Sequence, residues 1–98
     1  MIRVLIERHA QEGRRFLSLL REIRAEAMKQ PGYISGETLV DANNMYNIAV
    51  ISTWNSIRDW KAWQKSKLRA ELEQKIKALL VEPEKITVFR YLSYRQTG

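Results

Sequence analysis

The three tryptophans of the chain, Trp54, Trp60 and Trp63, fall within ten residues of one another. Trp54 ends an apolar run that is typical of a buried strand, and Trp60 and Trp63 are about one helical turn apart. Indole rings at such positions either fill a core or form the flat wall of a pocket that stacks on a planar ligand. We expect Trp54 and Trp60 to pack in the core, with Trp60 also bordering a cavity. For Trp63 both roles remain open, and it is our candidate for the ring that holds a substrate.

Glu7 and His9 lie at alternate positions of the first predicted strand, on the same face as Leu5. A partly buried carboxylate or imidazole can have a pKa near neutrality, so either group could remove the proton of a phenol. Glu7, His9 and Trp63 are therefore the candidate catalytic residues. The alternative is that Glu7 forms a surface ion pair with a nearby arginine and that His9 is exposed at the strand end.

Further residues are predicted to line a cavity because they are apolar or aromatic and lie on the strands and helix that would enclose it. They are Leu5, Tyr33, Trp60, Phe89 and Tyr91. The chain has no cysteine and a single histidine, so one subunit cannot form a multi-histidine zinc or iron site. It also has no glycine-rich phosphate loop and no dinucleotide fingerprint. We therefore expect no cofactor and no metal; in any oxygen chemistry the substrate itself would be the reductant, unless a cofactor binds without a motif.

The 98 residues form one predicted domain, residues 1–98, with 45% hydrophobic and 29% charged residues and a net charge of +6. Acidic residues are interleaved with the basic ones along the predicted helices, which favours solvated helix faces over a nucleic-acid footprint. No apolar run approaches the ~20 residues of a membrane span. The first residues are too quickly charged to form a signal peptide. We expect a cytoplasmic protein that binds neither nucleic acid nor membrane.

Hydrophobic periodicity predicts four strands and two helices in the order β-α-β-β-α-β. The predicted strands are Ile2 to His9, Tyr33 to Asp41, Met45 to Trp54 and Lys85 to Tyr94, and the predicted helices are Gly13 to Lys29 and Ser56 to Leu80, with a restart or kink at Ser66. This order indicates an α+β, ferredoxin-like fold with an antiparallel sheet and both helices on one face.

The sheet face that the helices leave uncovered is also apolar in part. Leu5, Ala49 and Ile51 belong to it, together with aromatic residues of the last strand. Because an exposed apolar face of this kind calls for a partner, we expect a homodimer in which two sheets face each other.

Several short motifs follow one another along the chain in a characteristic order. They are Pro31-Gly32-Tyr33 at the start of the second strand, Glu37-Thr38-Leu39, and Ser52-Thr53-Trp54 followed by Trp60, Trp63 and Ser66. With these motifs the chain resembles the antibiotic biosynthesis monooxygenase domains over nearly its whole length. The resemblance implies a dimeric α+β barrel and a cofactor-independent monooxygenase that acts on a small aromatic or quinol-type molecule.

The same family includes haem-degrading monooxygenases, which use a triad of Asn, Trp and His. By this resemblance Trp63 matches the triad tryptophan, whereas the asparagine position falls on Glu7 and the histidine position on Glu73. Two of the three triad residues are absent, so we do not expect haem degradation. The remaining alternative to an oxygenase is a dimeric module that binds a small molecule without catalysis.

Overall fold

A computed structural model describes residues 1–92 of the chain. The elements are β1 (Ile2–His9), α1 (Arg14–Ala27), β2 (Tyr33–Asp41), β3 (Asn44–Trp54), α2 (Ile57–Gln64), α3 (Lys67–Lys77) and β4 (Lys85–Arg90). The four strands form one antiparallel sheet in the order β2-β3-β1-β4. This topology confirms the predicted α+β, ferredoxin-like fold. Strand β4 ends at Arg90 rather than at the predicted Tyr94, which lies outside the described residues.

The predicted second helix consists of two helices, each with its own serine cap. The Ser56 side chain accepts a hydrogen bond from the backbone N–H of Asp59 (3.1 Å) and donates one to the Asp59 carboxylate (3.0 Å). Ser66 accepts in the same way from the backbone N–H of Arg69 (3.1 Å). The predicted restart at Ser66 is therefore confirmed, and α3 begins there as a separate helix.

Strand β1 divides its side chains between the two faces of the sheet. Ile2, Val4, Ile6 and Arg8 are buried, whereas Glu7 is exposed. The buried set packs into a core whose other members come from the three helices and from β3. They include Phe16, Leu19, Leu20, Ile23, Ile48, Trp54, Trp60, Trp63, Leu72 and Ile76. We call the helix-covered side of the sheet the inner face and the opposite side the outer face.

The outer face carries exposed apolar side chains. Leu39 on β2 is 47% exposed and Phe89 on β4 is 51% exposed, and between them Leu5 and Ile51 are half-buried. No helix among residues 1–92 is both long and apolar enough to cross a membrane.

The Pro31-Gly32 turn joins α1 to β2 and contacts the start of α2. Gly32 has a positive φ of 84°. A Cβ atom at Gly32 would meet the Asp59 side chain at 2.3–2.5 Å, and the Gly32 carbonyl accepts a hydrogen bond from the backbone N–H of Asn55 (2.7 Å). Only glycine therefore allows both this turn and this close approach.

Candidate functional site

A cavity lies between the inner face of the sheet and the helices. Its lining residues are Ile6 and Arg8 of β1, Leu20, Ile23, Arg24 and Ala27 of α1, Tyr33, Gly36, Glu37 and Thr38 of β2, Val50, Ser52 and Trp54 of β3, Trp60 and Trp63 of α2, and Arg69 of α3. Its volume is about 50 Å³, which is room for a few water molecules. All seven elements except β4 contribute to it, so the cavity exists only in the folded chain.

The wall of the cavity is aromatic. The rings of Tyr33 and Trp54 meet edge to face with centroids 5.3 Å apart, and those of Trp54 and Trp60 are 5.7 Å apart. The Trp54 indole N–H donates a buried hydrogen bond to the Ser52 hydroxyl (2.9 Å), which fixes the orientation of that ring. All three tryptophans, Trp63 included, are buried and also line the cavity. The same three tryptophans therefore fill the core and form part of the wall of the cavity.

Gly36 makes room for the tyrosine in this wall. A Cβ atom at Gly36 would lie 2.3 Å from the Tyr33 hydroxyl oxygen. The strand pairing shifts register between Tyr33 and Ser35, which re-aims the Tyr33 side chain at the start of β2. The register shift and the missing side chain at Gly36 together allow the Tyr33 side chain to point towards the cavity.

Two buried arginines lie between the cavity and two glutamates. We call Arg8, Arg69, Glu73 and Glu84 the charge cluster. Arg8 donates from Nε to Glu84 (3.0 Å) and from Nη2 to Glu73 (2.5 Å), and Arg69 Nη2 lies 3.2 Å from Glu73 and 3.8 Å from Glu84. Arg8 and Arg69 are 3% and 5% exposed. Both arginines line the cavity, and neither glutamate does.

Burial changes how the charge cluster holds protons. It raises the pKa of Glu73 to about 7, and a hydrogen bond with Glu84 acts in the same direction against the two arginines. For Glu84, burial opposes ionisation, but the hydrogen bond from Glu73 and the two arginines lower the pKa overall. Of the two carboxylates, Glu73 therefore binds a proton more readily and Glu84 less readily than a free glutamate. The charge cluster has a net charge of zero when both carboxylates are ionised and of +1 when Glu73 is protonated.

The Arg69 guanidinium also lies over an aromatic ring. Its Cζ atom is 5.3 Å from the centroid of the Trp60 ring, within the range of a cation–π contact. Because Trp60 belongs to the aromatic wall, this contact joins the charge cluster to the wall of the cavity.

Arg24 of α1 bridges to β2 at the more exposed side of the cavity. It donates from Nη1 to the Thr38 hydroxyl (3.1 Å) and from Nη2 to the Gly36 carbonyl (2.9 Å). Both acceptors are neutral. Thr38 and the neighbouring Glu37 are the exposed lining residues, so the Arg24 bridge spans the side that solvent reaches.

The structure separates the predicted site residues into two groups. Tyr33, Trp60 and Trp63 line the helix–sheet cavity. Four others, Leu5, Glu7, His9 and Phe89, are on the outer face, because side chains alternate along β1 and β4. Tyr91 follows the end of β4 and is 57% exposed.

Glu7 and His9 are accordingly not brought next to Trp63 within one chain. Glu7 borders shallow outer-face depressions with residues of β2 and β3, and His9 Nδ1 lies 3.7 Å from the exposed Glu82 carboxylate. A catalytic role for Glu7 and His9 remains a prediction that would need a cavity on the outer face.

Sequence reasoning missed the polar side of the cavity, although signals for it are present. Arg8 continues the alternation of Ile2, Val4 and Ile6, so the strand pattern alone places a charge on the inner face. Arg69 precedes the buried Leu72 and Ile76 at helical spacing, which places a charge on the apolar stripe of α3. A cation at a core position was the overlooked signal.

The described residues offer little to a metal or a haem iron. No group of three or more His, Cys, Asp or Glu side chains that could hold a metal ion occurs in the described part of the chain. Glu73, at the position that the family resemblance assigns to the triad histidine, forms ion pairs with Arg8 and Arg69. Its carboxylate is thus already engaged by two cations.

Fold and site together define a small α+β protein with an aromatic, arginine-containing pocket between one sheet and its helices. The sequence model of the family "antibiotic biosynthesis monooxygenase" matches residues 1–84. The chain therefore belongs to the antibiotic biosynthesis monooxygenase family, as the motif order predicted.

Solved structures share this fold at low sequence identity. An antibiotic biosynthesis monooxygenase superposes with a TM-score of 0.86 at 15% identity, covering 95% of this chain and 100% of its own. SnoaB, a cofactor-independent oxygenase from Streptomyces nogalater, superposes with a TM-score of 0.80 at 14% identity, covering 96% of each chain. A conserved protein from Methanosarcina mazei Go1 gives 0.84 at 18% identity, covering 91% and 90%. A search of curated protein sequences finds no match.

Proposed function

We propose that this protein is a cofactor-independent monooxygenase for a small aromatic or quinol-type molecule bound in the helix–sheet cavity. The observation that carries the proposal is the cavity itself: an aromatic wall of Tyr33, Trp60 and Trp63 beside the buried cations Arg8 and Arg69. Membership of the family supports it, as does a fold shared with a cofactor-independent oxygenase.

The proposed reaction needs no bound reductant, because the substrate supplies the electrons. A phenol loses its hydroxyl proton, the phenolate transfers one electron to O₂, and the resulting radicals combine at a ring carbon to give a hydroperoxide. Loss of water from this intermediate leaves a quinone, so phenol and O₂ are converted to quinone and water. One oxygen atom enters the product and the other leaves as water.

The pocket residues would assist by holding the ring and by excluding solvent. Trp63 and Trp60 provide flat, apolar surface, and the Tyr33 hydroxyl is a hydrogen-bond donor in the same wall. The cavity of about 50 Å³ is smaller than a benzene-binding cavity of roughly 150 Å³. A one-ring substrate is therefore the largest that a modest widening would admit.

A homodimer belongs to the same proposal. Two copies would cover the exposed Leu39 and Phe89 by packing outer face against outer face. Such a pairing would also enclose Glu7 and His9, and only then could the predicted base on β1 act on a ligand. Sedimentation or light scattering at micromolar concentration tests it, and a monomer would refute it.

The activity test is oxygen consumption by purified, metal-depleted protein with a panel of one-ring phenols and hydroquinones. We expect turnover above the buffer rate, with quinone formed and no hydrogen peroxide accumulating. Trp63→Leu should reduce the rate, while the paired outer-face variant Glu7→Gln/His9→Gln should leave it unchanged if chemistry occurs in the helix–sheet cavity. Buffer-level rates across the panel would refute the proposal.

One observation favours the second candidate, a binding module without catalysis. The single acidic residue of the lining among the described residues is Glu37, and its carboxylate is on the outer face, 59% exposed and paired with Arg3 at 3.8 Å. A conventional buried general base is thus missing from the lining. Ligand binding measured by tryptophan fluorescence without any turnover would establish this second function.

A further inference from the structure

The described cavity lining contains more positive than negative charge. Three guanidinium groups, those of Arg8, Arg24 and Arg69, line the cavity. The one acidic residue of the described lining, Glu37, has its carboxylate on the outer face beside Arg3 (3.8 Å). Glu37 is largely exposed, so solvent screens it, whereas Arg8 and Arg69 are buried and screened far less. Glu73 and Glu84, outside the lining, offset Arg8 and Arg69, so what favours an anion in the cavity is Arg24, whose hydrogen-bond partners are neutral, together with the incomplete pairing of Arg69.

The counter-charges of the charge cluster do not satisfy both arginines equally. Arg8 donates hydrogen bonds from Nε and from Nη2 to two different carboxylates. Arg69 reaches these carboxylates through Nη2 alone. Its Nε and Nη2 atoms are both buried without a hydrogen-bond partner among the described residues, and Nε has no carboxylate within ion-pair distance either.

A buried donor on a cation without an acceptor is costly, since the group loses its hydration and gains no hydrogen bond in exchange. Arg69 lines the cavity and lies over the Trp60 ring. An acceptor oxygen on a ring stacked in this cavity would reach a donor that is already in place.

Arg24 adds to the same imbalance at the exposed side. Its two hydrogen bonds go to the neutral Thr38 hydroxyl and the Gly36 carbonyl, so its charge is not compensated by either partner. An anion approaching from that side meets a positive charge before it reaches Arg69.

We propose that the cavity selects a one-ring aromatic anion, a phenolate, and that Arg69 is the specificity-determining residue, with its Nε donating to the phenolate oxygen. This inference rests on the proposed function for the location of the site only. Its consequence is that the arginines take the place of a general base: they lower the pKa of the bound phenol, and the proton leaves to solvent.

The test uses 4-nitrophenol, whose absorbance reports its own ionisation, and nitrobenzene as the neutral ligand of the same shape. With wild-type protein we expect bound 4-nitrophenol to ionise at a lower pH than the free compound. We also expect the phenolate to bind at least about ten-fold more tightly than nitrobenzene, as one charge-assisted hydrogen bond would give. Equal affinities, or an unshifted ionisation, would overturn the proposal without any variant being made.

Three substitutions on α3 locate the effect. Arg69→Gln should abolish the preference for the phenolate and restore the ionisation of the probe to that of free 4-nitrophenol, and Arg69→Lys should keep part of it. Lys75→Gln, on the exposed side of the same helix, removes an equal charge and should change neither measurement. An unchanged preference in a folded Arg69→Gln variant would refute the role of Arg69.

Benzoate tests whether the cavity prefers a phenolate oxygen or a carboxylate on an aromatic ring. Its oxygens lie one carbon farther from the ring than a phenolate oxygen and to either side of the ring axis, so we expect it to compete weakly. Tighter binding of benzoate than of 4-nitrophenolate would overturn the phenolate assignment. The measurements need no turnover. Phenolate selection without oxygen uptake would thus refute the proposed function and keep this inference, and oxygen uptake without selection would do the reverse.

Discussion

The two faces of strand β1 differ in what their polar residues do. On the outer face Glu7 and His9 have the side chains expected of a catalytic base, yet Glu7 is exposed and His9 only loosely paired with Glu82. On the inner face Arg8 follows three aliphatic residues and is buried against two carboxylates. Arg8, which the sequence did not indicate as a functional residue, is the one that lines the pocket.

The difference teaches that burial, more than residue type, identifies a polar residue with a task. An exposed carboxylate or imidazole on a strand costs the fold almost nothing, so its presence carries little information. A buried guanidinium requires carboxylate partners and correct geometry before it is tolerated. The charge cluster supplies both, and a charge that a protein maintains at such cost is the better guide to a site.

The largest expected effect is the loss of one arginine from the charge cluster. Arg8→Met should lower the free energy of unfolding by about 3–5 kcal/mol, because it leaves Glu73 and Glu84 buried with too little positive charge. Urea unfolding followed by tryptophan fluorescence measures it.

The matched control is on the same strand and the other face. Arg3 is 43% exposed and lies 3.8 Å from Glu37, so Arg3→Met should cost at most about 1 kcal/mol. Equal losses for the two variants would contradict the contrast between the faces.

A smaller effect is expected from the hydrogen bond that orients Trp54. Ser52→Ala leaves the buried Trp54 indole N–H without an acceptor, and should lower the free energy of unfolding by about 1–3 kcal/mol. Thermal unfolding of this variant beside Ser35→Ala, at an exposed position of β2, isolates the effect. A similar change in both variants would mean that the bond contributes nothing.

The pH dependence of stability should change when Glu73 is replaced. Burial raises the pKa of Glu73 from 4.5 to about 7, so the folded state binds a proton more tightly than the unfolded state. The contribution is complete below pH 4.5 and is lost as pH rises through 7, which makes the wild-type protein less stable over that interval. Glu73→Gln should remove this decline, on the order of 1 kcal/mol after allowance for partial exposure.

Urea unfolding at intervals from pH 4.5 to 7.5 measures the decline for both proteins. Exposed Glu71, on the same helix, provides the control substitution Glu71→Gln, which should preserve the wild-type decline. A decline of unchanged size in Glu73→Gln would assign the effect to another group.

The smallest change in stability is expected on the outer face. Phe89→Lys places a charge at a position that is 51% exposed, and should alter the stability of the single chain by no more than about 0.5 kcal/mol. The same variant should weaken self-association if the outer face is a dimer interface. Light scattering compares it with Lys85→Gln on the same strand, and an unaltered mass for Phe89→Lys would place the interface elsewhere.

The fold could be predicted from the sequence because its periodicities are strong. The bounds of β1 and β2 were predicted to the residue. The predicted restart or kink at Ser66 is a restart, because the serine caps α3. The end of β4 was wrong, because Tyr91 and Leu92 have strand-like residue types without a strand partner.

The site was less accessible to prediction, because it depends on contacts between distant elements. Trp63 and Tyr33 were predicted at a pocket as aromatic residues, Trp63 with the added support of the family resemblance, whereas the charge cluster joins Arg8 to Glu73 and Glu84 across 65 and 76 positions. No local pattern specifies such partners. The alternation of side chains along β1 does predict that Arg8 lies on the inner face. Why an arginine is stable there becomes clear only when its carboxylate partners are known.

The turn at Gly32 has a consequence for how the cavity is held together. The contact of Gly32 with Asp59, and its hydrogen bond with Asn55, tie the start of β2 to the start of α2. Tyr33 on one side and Trp60 on the other therefore belong to elements that are tied together at this point. The opposite side is held by the two hydrogen bonds of Arg24. One end of the cavity is thus fixed by backbone contacts at the glycine, whereas its solvent side is bridged by a single side chain.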